Sequence, residues 1–172
     1  SAVAWGDYDS DGRMDLLMNG RRDNAFADST TQLWRNTGRS FVNVPIPGVP
    51  GVAHGSLAWG DYDNDGRLDF LQTGVLVTNN AVYSGLSVAQ LWRNTGNGFV
   101  LVPIPGLPGV YAGTAVWGDF DNDGRRDFFL TGRASDGDPV YPVPVGTVAQ
   151  FWRNTPAGFS NVTAAMAPDM PG

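Results

Sequence analysis

Trp5-Gly6-Asp7-Tyr8-Asp9-Ser10-Asp11-Gly12 decides the fold, because it returns as Trp59-Gly60-Asp61-Tyr62-Asp63-Asn64-Asp65-Gly66 and again as Trp117-Gly118-Asp119-Phe120-Asp121-Asn122-Asp123-Gly124. A second block travels with it: Gln32-Leu33-Trp34-Arg35-Asn36-Thr37, then Gln90-Leu91-Trp92-Arg93-Asn94-Thr95, then Gln150-Phe151-Trp152-Arg153-Asn154-Thr155. A third mark is the phenylalanine at 41, 99 and 159. The first-block tryptophans stand 54 and then 58 residues apart. Self-similarity at such a period is the signature of stacked repeats.

Each copy divides into four short apolar segments separated by turn residues. The first is Ala2–Gly6, Leu57–Gly60 or Ala115–Gly118, and the second is Met14–Met18, Leu68–Gln72 or Arg126–Leu130. The third carries the Trp-Arg-Asn block, and the fourth is Phe41–Val44, Phe99–Val102 or Phe159–Val162. None shows the i, i+3, i+4 spacing of a helical repeat. Four antiparallel strands at this period make a propeller blade. The expectation is an all-β β-propeller chain of three four-stranded blades, over residues 1–54, 55–112 and 113–172.

Composition agrees. All 17 acids are aspartate and all 11 bases arginine, with neither glutamate nor lysine. Aspartate favours turns and caps, whereas glutamate and lysine favour helix faces, so helices are disfavoured. The 23 glycines and 12 prolines suit many short strands. A net charge of -6 argues against a nucleic-acid partner, which would want a basic stripe. With no cysteine there is no disulfide framework and no thiol chemistry. No apolar run approaches the roughly 18 residues of a spanning helix, so no membrane insertion is expected. The chain starts mid-pattern at Ser1, without initiator methionine or signal peptide. It reads as an excised or engineered segment whose parent is extracellular or at the cell surface.

The acidic loop has the form Asp-x-Asp-x-Asp-Gly-x-x-Asp in every copy. Its acids are Asp7, Asp9, Asp11 and Asp15; Asp61, Asp63, Asp65 and Asp69; and Asp119, Asp121, Asp123 and Asp127. Carboxylates at positions 1, 3 and 5 converge when the backbone coils around a point, and glycine at position 6 permits the turn. Arg13, Arg67 and Arg125 at position 7 can each offer a backbone carbonyl. These are hard oxygen ligands of the kind calcium prefers, and magnesium's stricter octahedron suits them less. The loop is not an EF-hand, because position 12 is Met18, Gln72 or Leu130 instead of glutamate. A solvated acidic turn could arise once; three in register point to three calcium ions per chain. Three such ions would bring the formal charge to zero.

Trp-Gly-Asp-Tyr-Asp-Asn-Asp-Gly-Arg-Leu-Asp-Phe followed by Gln-Leu-Trp-Arg-Asn-Thr-Gly-Asn-Gly-Phe resembles the FG-GAP/VCBS repeat. That repeat builds calcium-binding blades of integrin α-subunit propellers, of many bacterial surface and secreted proteins, and of similar lectins. The resemblance covers essentially the whole chain. It implies that the aspartate loop joins the first and second strands of each blade and binds calcium through the twelve aspartates named. It fixes no ligand. One departure is the end of the third copy, where Ala165–Gly172 replaces the Ile-Pro-Gly link of the other two.

Propellers close with four or more blades, so three leave two blade faces bare. Self-association follows, most simply as a homodimer closing a six-bladed ring. The loops between second and third strands differ most among the copies, and divergent loops on a repeated scaffold commonly carry binding. They hold the candidate ligand residues Arg21, Arg22, Phe26, Asn79, Asn80, Tyr83, Asp136, Asp138 and Tyr141. The six tryptophans are assigned to packing between blades and not to sugar stacking, and Arg35, Arg93 and Arg153 to pairing with carboxylates or carbonyls. His54, the one histidine, lies in a link and joins no recognisable catalytic constellation. The leading function is a non-enzymatic, calcium-stabilised module for carbohydrate or protein recognition. The alternatives are a structural or engineered self-assembling fragment without a ligand of its own, and a propeller-type hydrolase.

Overall fold

The computed structural model describes residues 1–21, 29–76, 86–135 and 144–166. Three antiparallel sheets follow one another along the chain. The first is β1 (Ala2–Gly6), β2 (Asp15–Arg21), β3 (Ser29–Asn36) and β4 (Phe41–Val44), in that spatial order. The third repeats it with β10 (Tyr111–Gly118), β11 (Asp127–Ser135), β12 (Pro144–Thr155) and β13 (Gly158–Asn161). The middle sheet is the same unit with its first strand broken into β5 (Val52–Ala53) and β6 (Leu57–Gly60), both lying along β7 (Asp69–Leu76), followed by β8 (Ser87–Asn94) and β9 (Phe99–Val102). One helical turn, α1 (Thr163–Met166), ends the described chain. These are three blades of a partial propeller, as the repeat predicts.

The break in the middle sheet has a local cause. His54 takes a left-handed φ of 53° and Ala112, its counterpart, one of 50°. The two positions are joined across blades, the Ala112 amide donating to the His54 carbonyl at 2.8 Å. In the third blade the strand passes the same point without ending, but its register with β11 shifts between Tyr111 and Thr114. Gly55 lies so close to β7 that a Cβ there would stand 1.6 Å from the Thr73 carbonyl oxygen.

Apolar packing runs between blades. Strand alternation sends neighbouring side chains to opposite faces. In the first blade Leu17 sits opposite Leu33, and this fully buried pair meets Phe70 and Trp92 of the second. On the other face of the second blade Leu71 and Leu91 meet Phe128 and Trp152 of the third. Phe70 stacks on Trp92 at 6.4 Å and Phe128 on Trp152 at 5.9 Å, both near parallel.

The Trp-Gly pair of each copy is the second element of this packing. Trp59 lies against Gly6 of the blade before it and donates its indole N–H to the Ala4 carbonyl at 3.3 Å. Trp117 lies against Gly60 and donates to the Ala58 carbonyl at 3.1 Å. A Cβ on either glycine would come within 2.7 Å of the indole ring, well inside van der Waals contact. Gly60→Ala is therefore expected to lower unfolding free energy by about 1–3 kcal/mol through overpacking. Urea unfolding measures this, and an unchanged midpoint would contradict the close approach.

Candidate metal centres

The aspartate loop joins the first and second strands in every blade. Its tight coil is visible in the backbone: position 4 is left-handed at Ser10, Asn64 and Asn122 (φ 58°, 56° and 57°), and position 6 at Gly12, Gly66 and Gly124 (φ 84°, 85° and 85°). Asparagine tolerates that region better than most side chains, and glycine best of all. The coil turns amides inward onto the first aspartate. Asp7 accepts from the amides of Asp11 at 3.0 Å and Gly12 at 2.8 Å, and Asp61 and Asp119 do the same in their loops.

The last aspartate of each loop is fully buried and stitches the blade together. Asp15 accepts from the amides of Tyr8 at 3.1 Å and Asn36 at 2.7 Å. Asp69 accepts from Tyr62 and Asn94, and Asp127 from Phe120 and Asn154. The start of β2 is thus tied to the loop after β1 and to the end of β3.

Three carboxylates converge in each blade: Asp7, Asp9 and Asp15; Asp61, Asp63 and Asp69; Asp119, Asp121 and Asp127. Each contributes an oxygen to a group whose members lie within 4.8 Å of one another, so each group can hold a metal ion. A carboxylate has about four lone-pair directions, so an oxygen that accepts an amide still has capacity for a cation. The fifth-position acids stand apart from these groups. Asp11 accepts from the Arg13 amide at 3.0 Å and is ion-paired with the guanidiniums of Arg13 and Arg35. Asp65 and Asp123 are held in the same way, by Arg67 with Arg93 and by Arg125 with Arg153.

The arginines form a repeated clamp that the sequence reading captured by half. Arg35, Arg93 and Arg153 do pair with carboxylates, reaching Asp9, Asp63 and Asp121 through Nε at 2.6, 2.7 and 2.6 Å. The position-7 arginines were assigned only a backbone role. Their side chains also tie the loop to the β3–β4 turn, with Nε donating to the carbonyls of Asn36, Asn94 and Asn154 at 2.8, 3.0 and 2.8 Å. The identical Arg at loop position 7 in all copies was the available signal. Asn94 and Asn154 were also missed; their side chains bridge blades, donating to the Tyr8 carbonyl at 2.9 Å and the Tyr62 carbonyl at 2.7 Å.

Of the candidate ligand residues, Arg21 ends β2. Arg22, Phe26, Asn79, Asn80, Tyr83, Asp136, Asp138 and Tyr141 lie outside the described residues. On the aspartate-loop face, a cleft of about 470 Å³ opens between the second and third blades, walled by Tyr62, Asn64, Ile104, Arg125, Asn154 and Phe159. Asn64 crosses beside it to donate to the Gly124 carbonyl at 2.9 Å.

Burial pushes the Asp69 carboxyl up to about 6, against the pull of the Asn94 and Tyr62 amides and with help from Asp63 and Asp65. Asp15 and Asp127 are raised for the same reason. At Asp123 the Arg125 amide leads in lowering the carboxyl, and the Arg125 and Arg153 side chains add to it. At Asp11 and Asp65 desolvation pushes upward but is outweighed by the amide and the two arginines, so both end below the ordinary value. A raised acid makes the folded chain hold more protons than the unfolded one between its ordinary value near 3.9 and its folded value. That contribution is present at low pH and is lost as pH rises through about 6. Metal-free protein should thus be more stable to urea at about pH 5 than at about pH 7. A midpoint that climbs steadily over that interval would contradict the burial of these acids.

No curated protein sequence matches the chain significantly. A fucose lectin from Kordia zhangzhouensis, solved in complex with methyl-fucoside, superposes with a TM-score of 0.52 at 10% sequence identity, over 92% of this chain and 96% of that one. That likeness is one of fold. The family model of the FG-GAP-like repeat matches residues 7–71, from the first aspartate of the first loop into β7 of the second blade. Residues 7–71 are thus similar to the FG-GAP-like repeat, and the chain that holds them has a propeller-like all-β fold.

Proposed function

We propose that this chain is a non-enzymatic, calcium-stabilised propeller module that recognises carbohydrate outside the cell, and that two copies close a six-bladed ring. The observation that carries the calcium reading is the charge of the three sites. Each holds four aspartates and two clamping arginines, a formal charge of -2. The remaining five aspartates and five arginines of the chain cancel, so the three sites account for its whole net charge of -6. One divalent cation per blade neutralises each site.

The donor set fits calcium: all oxygen, mostly carboxylate, on a loop whose coil gathers three of them. Asp7, Asp9 and Asp15 and their counterparts are the central ligands. The carbonyls of Arg13, Arg67 and Arg125 would add to them, and Asp11, Asp65 and Asp123 would complete the set by turning an oxygen from the arginine clamp toward the ion. The arginines reduce the ligand charge the ion meets, and ligand charge sets affinity in such loops. Weak binding, with Kd of about 10⁻⁴–10⁻³ M, matches extracellular calcium levels. The role is structural, since the ion would pin the corner between first and second strands.

Carbohydrate is favoured as ligand by the fucoside bound to the fold neighbour and by the cleft between the second and third blades. Its volume of about 470 Å³ lies in the range of small-ligand sites. Tyr62, Asn64 and Arg125 give that cleft an aromatic edge and polar groups of the kind sugars need.

Calcium at about a hundredfold over Kd adds about 2.7 kcal/mol per site if it binds only the folded chain. Chelation from about 10 mM calcium should lower Tm by about 10–30 °C when three sites empty together. Calorimetric titration should give three equivalents. An unchanged melt would overturn structural calcium. A glycan array probed with calcium-loaded protein, including α-fucosides, tests the ligand; uniform silence would favour a purely structural assembly.

A further inference from the structure

Both junctions between blades use the same parts, and the two faces not engaged in them carry residues at the equivalent positions, some identical and some changed. At each junction the incoming blade brings a tryptophan, a Phe–Trp pair and a phenylalanine. The receiving blade brings a glycine, a pair of leucines and an aromatic ring at loop position 2. Trp5 of the first blade is 56% exposed, and Val3, Met14 and Phe41 beside it are exposed too. Their counterparts Trp59, Leu57 and Phe99 are packed into the first junction, and Leu68, the counterpart of Met14, lies against Gly6. On the third blade Gly118 has nothing within 4 Å of where a Cβ would sit, whereas Gly6 and Gly60 face an indole there. An apolar recess lined by Val116, Phe120, Phe129 and Phe151 adjoins it.

We infer that these two faces are the halves of a third junction, made between two copies of this chain, with Trp5 of one docked on Gly118 of the other. The inference deepens the ring-closing reading above and rests on it. By the pattern of the internal junctions, the Trp5 indole N–H donates to the Val116 carbonyl of the second copy, as Trp59 does to Ala4 and Trp117 to Ala58. Asn36 takes the bridging role of Asn94 and Asn154, toward the Phe120 carbonyl. Phe41 meets Phe120 as Phe99 meets Tyr8 and Phe159 meets Tyr62.

Side-chain volumes favour a second copy over a blade with the internal pattern. Within the chain a Leu–Leu pair always receives a Phe–Trp pair. The open receiving face carries Phe129 opposite Phe151, both larger. The open incoming face carries Leu16 opposite Trp34, so a leucine stands where Phe70 and Phe128 stand in the other blades. A blade bringing phenylalanine there would overfill the space, whereas Leu16 offsets one of the two enlargements. The contact is heterologous, with different surfaces on its two sides, so two three-bladed chains form a closed ring with every face covered.

The test is solution mass, by sedimentation or light scattering in calcium, of the wild type, Trp5→Ala, Gly118→Val and an equimolar mixture of the two variants. Trp5 is exposed and Gly118 meets nothing within 4 Å, so circular dichroism should show both variants folded. The wild type should run at twice the 18.4 kDa chain mass and each variant at 18.4 kDa alone. The mixture should regain a two-chain species through its one intact junction. A monomeric wild type would overturn ring closure and the Trp5–Gly118 contact together. A wild type that pairs while both variants also remain paired would overturn the contact alone. Loss of pairing in Trp5→Ala but not in Gly118→Val would mean that two Trp5 faces meet each other, and would overturn the heterologous arrangement.

Discussion

One fully buried aspartate per blade holds the architecture in place. Asp15, Asp69 and Asp127 each accept two backbone amides, one from the loop after the first strand and one from the end of the third. Hydrogen bonds to a charged acceptor are worth about 1.5–3 kcal/mol each, more than neutral ones. These bonds fix where the loop sits relative to the blade. They also carry a carboxylate out of water and next to two others. Carboxylates about 4.8 Å apart repel by roughly 3 kcal/mol per fully charged pair at an effective dielectric near 20. The fold can keep the stitch only by balancing that charge.

The arginine clamp takes the fifth-position acid and one oxygen of the third-position acid, and it does so from the loop itself and from the third strand, so the charge pairs also brace the loop against β3. This explains why Arg35, Arg93 and Arg153 follow Trp34, Trp92 and Trp152 in the repeated block: a residue in that register emerges beside the aspartate loop. The clamp leaves a residual -2, which a divalent cation suits and a monovalent one does not. The same loop geometry is thus a brace in itself, and its three grouped carboxylates could hold a metal ion.

Much of this was legible in the sequence. The repeat gave the three blades, and Phe41–Val44 and Phe99–Val102 were read to the residue as fourth strands. The second strands run on beyond the segments expected from sequence, to Arg21, Leu76 and Ser135, because their pairing with the third strand continues across the central glycine. The short pairing of Val52–Ala53 with β7 was invisible, since two residues carry no periodicity and the left-handed His54 interrupts the run. At the site, spacing alone pointed to convergence of positions 1, 3 and 5, whereas the structure brings positions 1, 3 and 9 together. The withdrawal of position 5 toward two guanidiniums was not legible, because it depends on Arg35 arriving from a strand twenty-four residues later.

Repetition itself limits what spacing can say. Every copy shows the same Trp-Gly pair, and from sequence the three tryptophans look equivalent. They are not: Trp59 and Trp117 each occupy a glycine of the preceding blade, and Trp5 has no preceding blade in this chain to occupy. The copies also differ in the side chains of these faces, with Leu16 opposite Trp34 in the first blade and Phe129 opposite Phe151 in the third. Adherence to the repeat consensus therefore carries the information about folding, and departures from it distinguish the faces of one blade from those of the next.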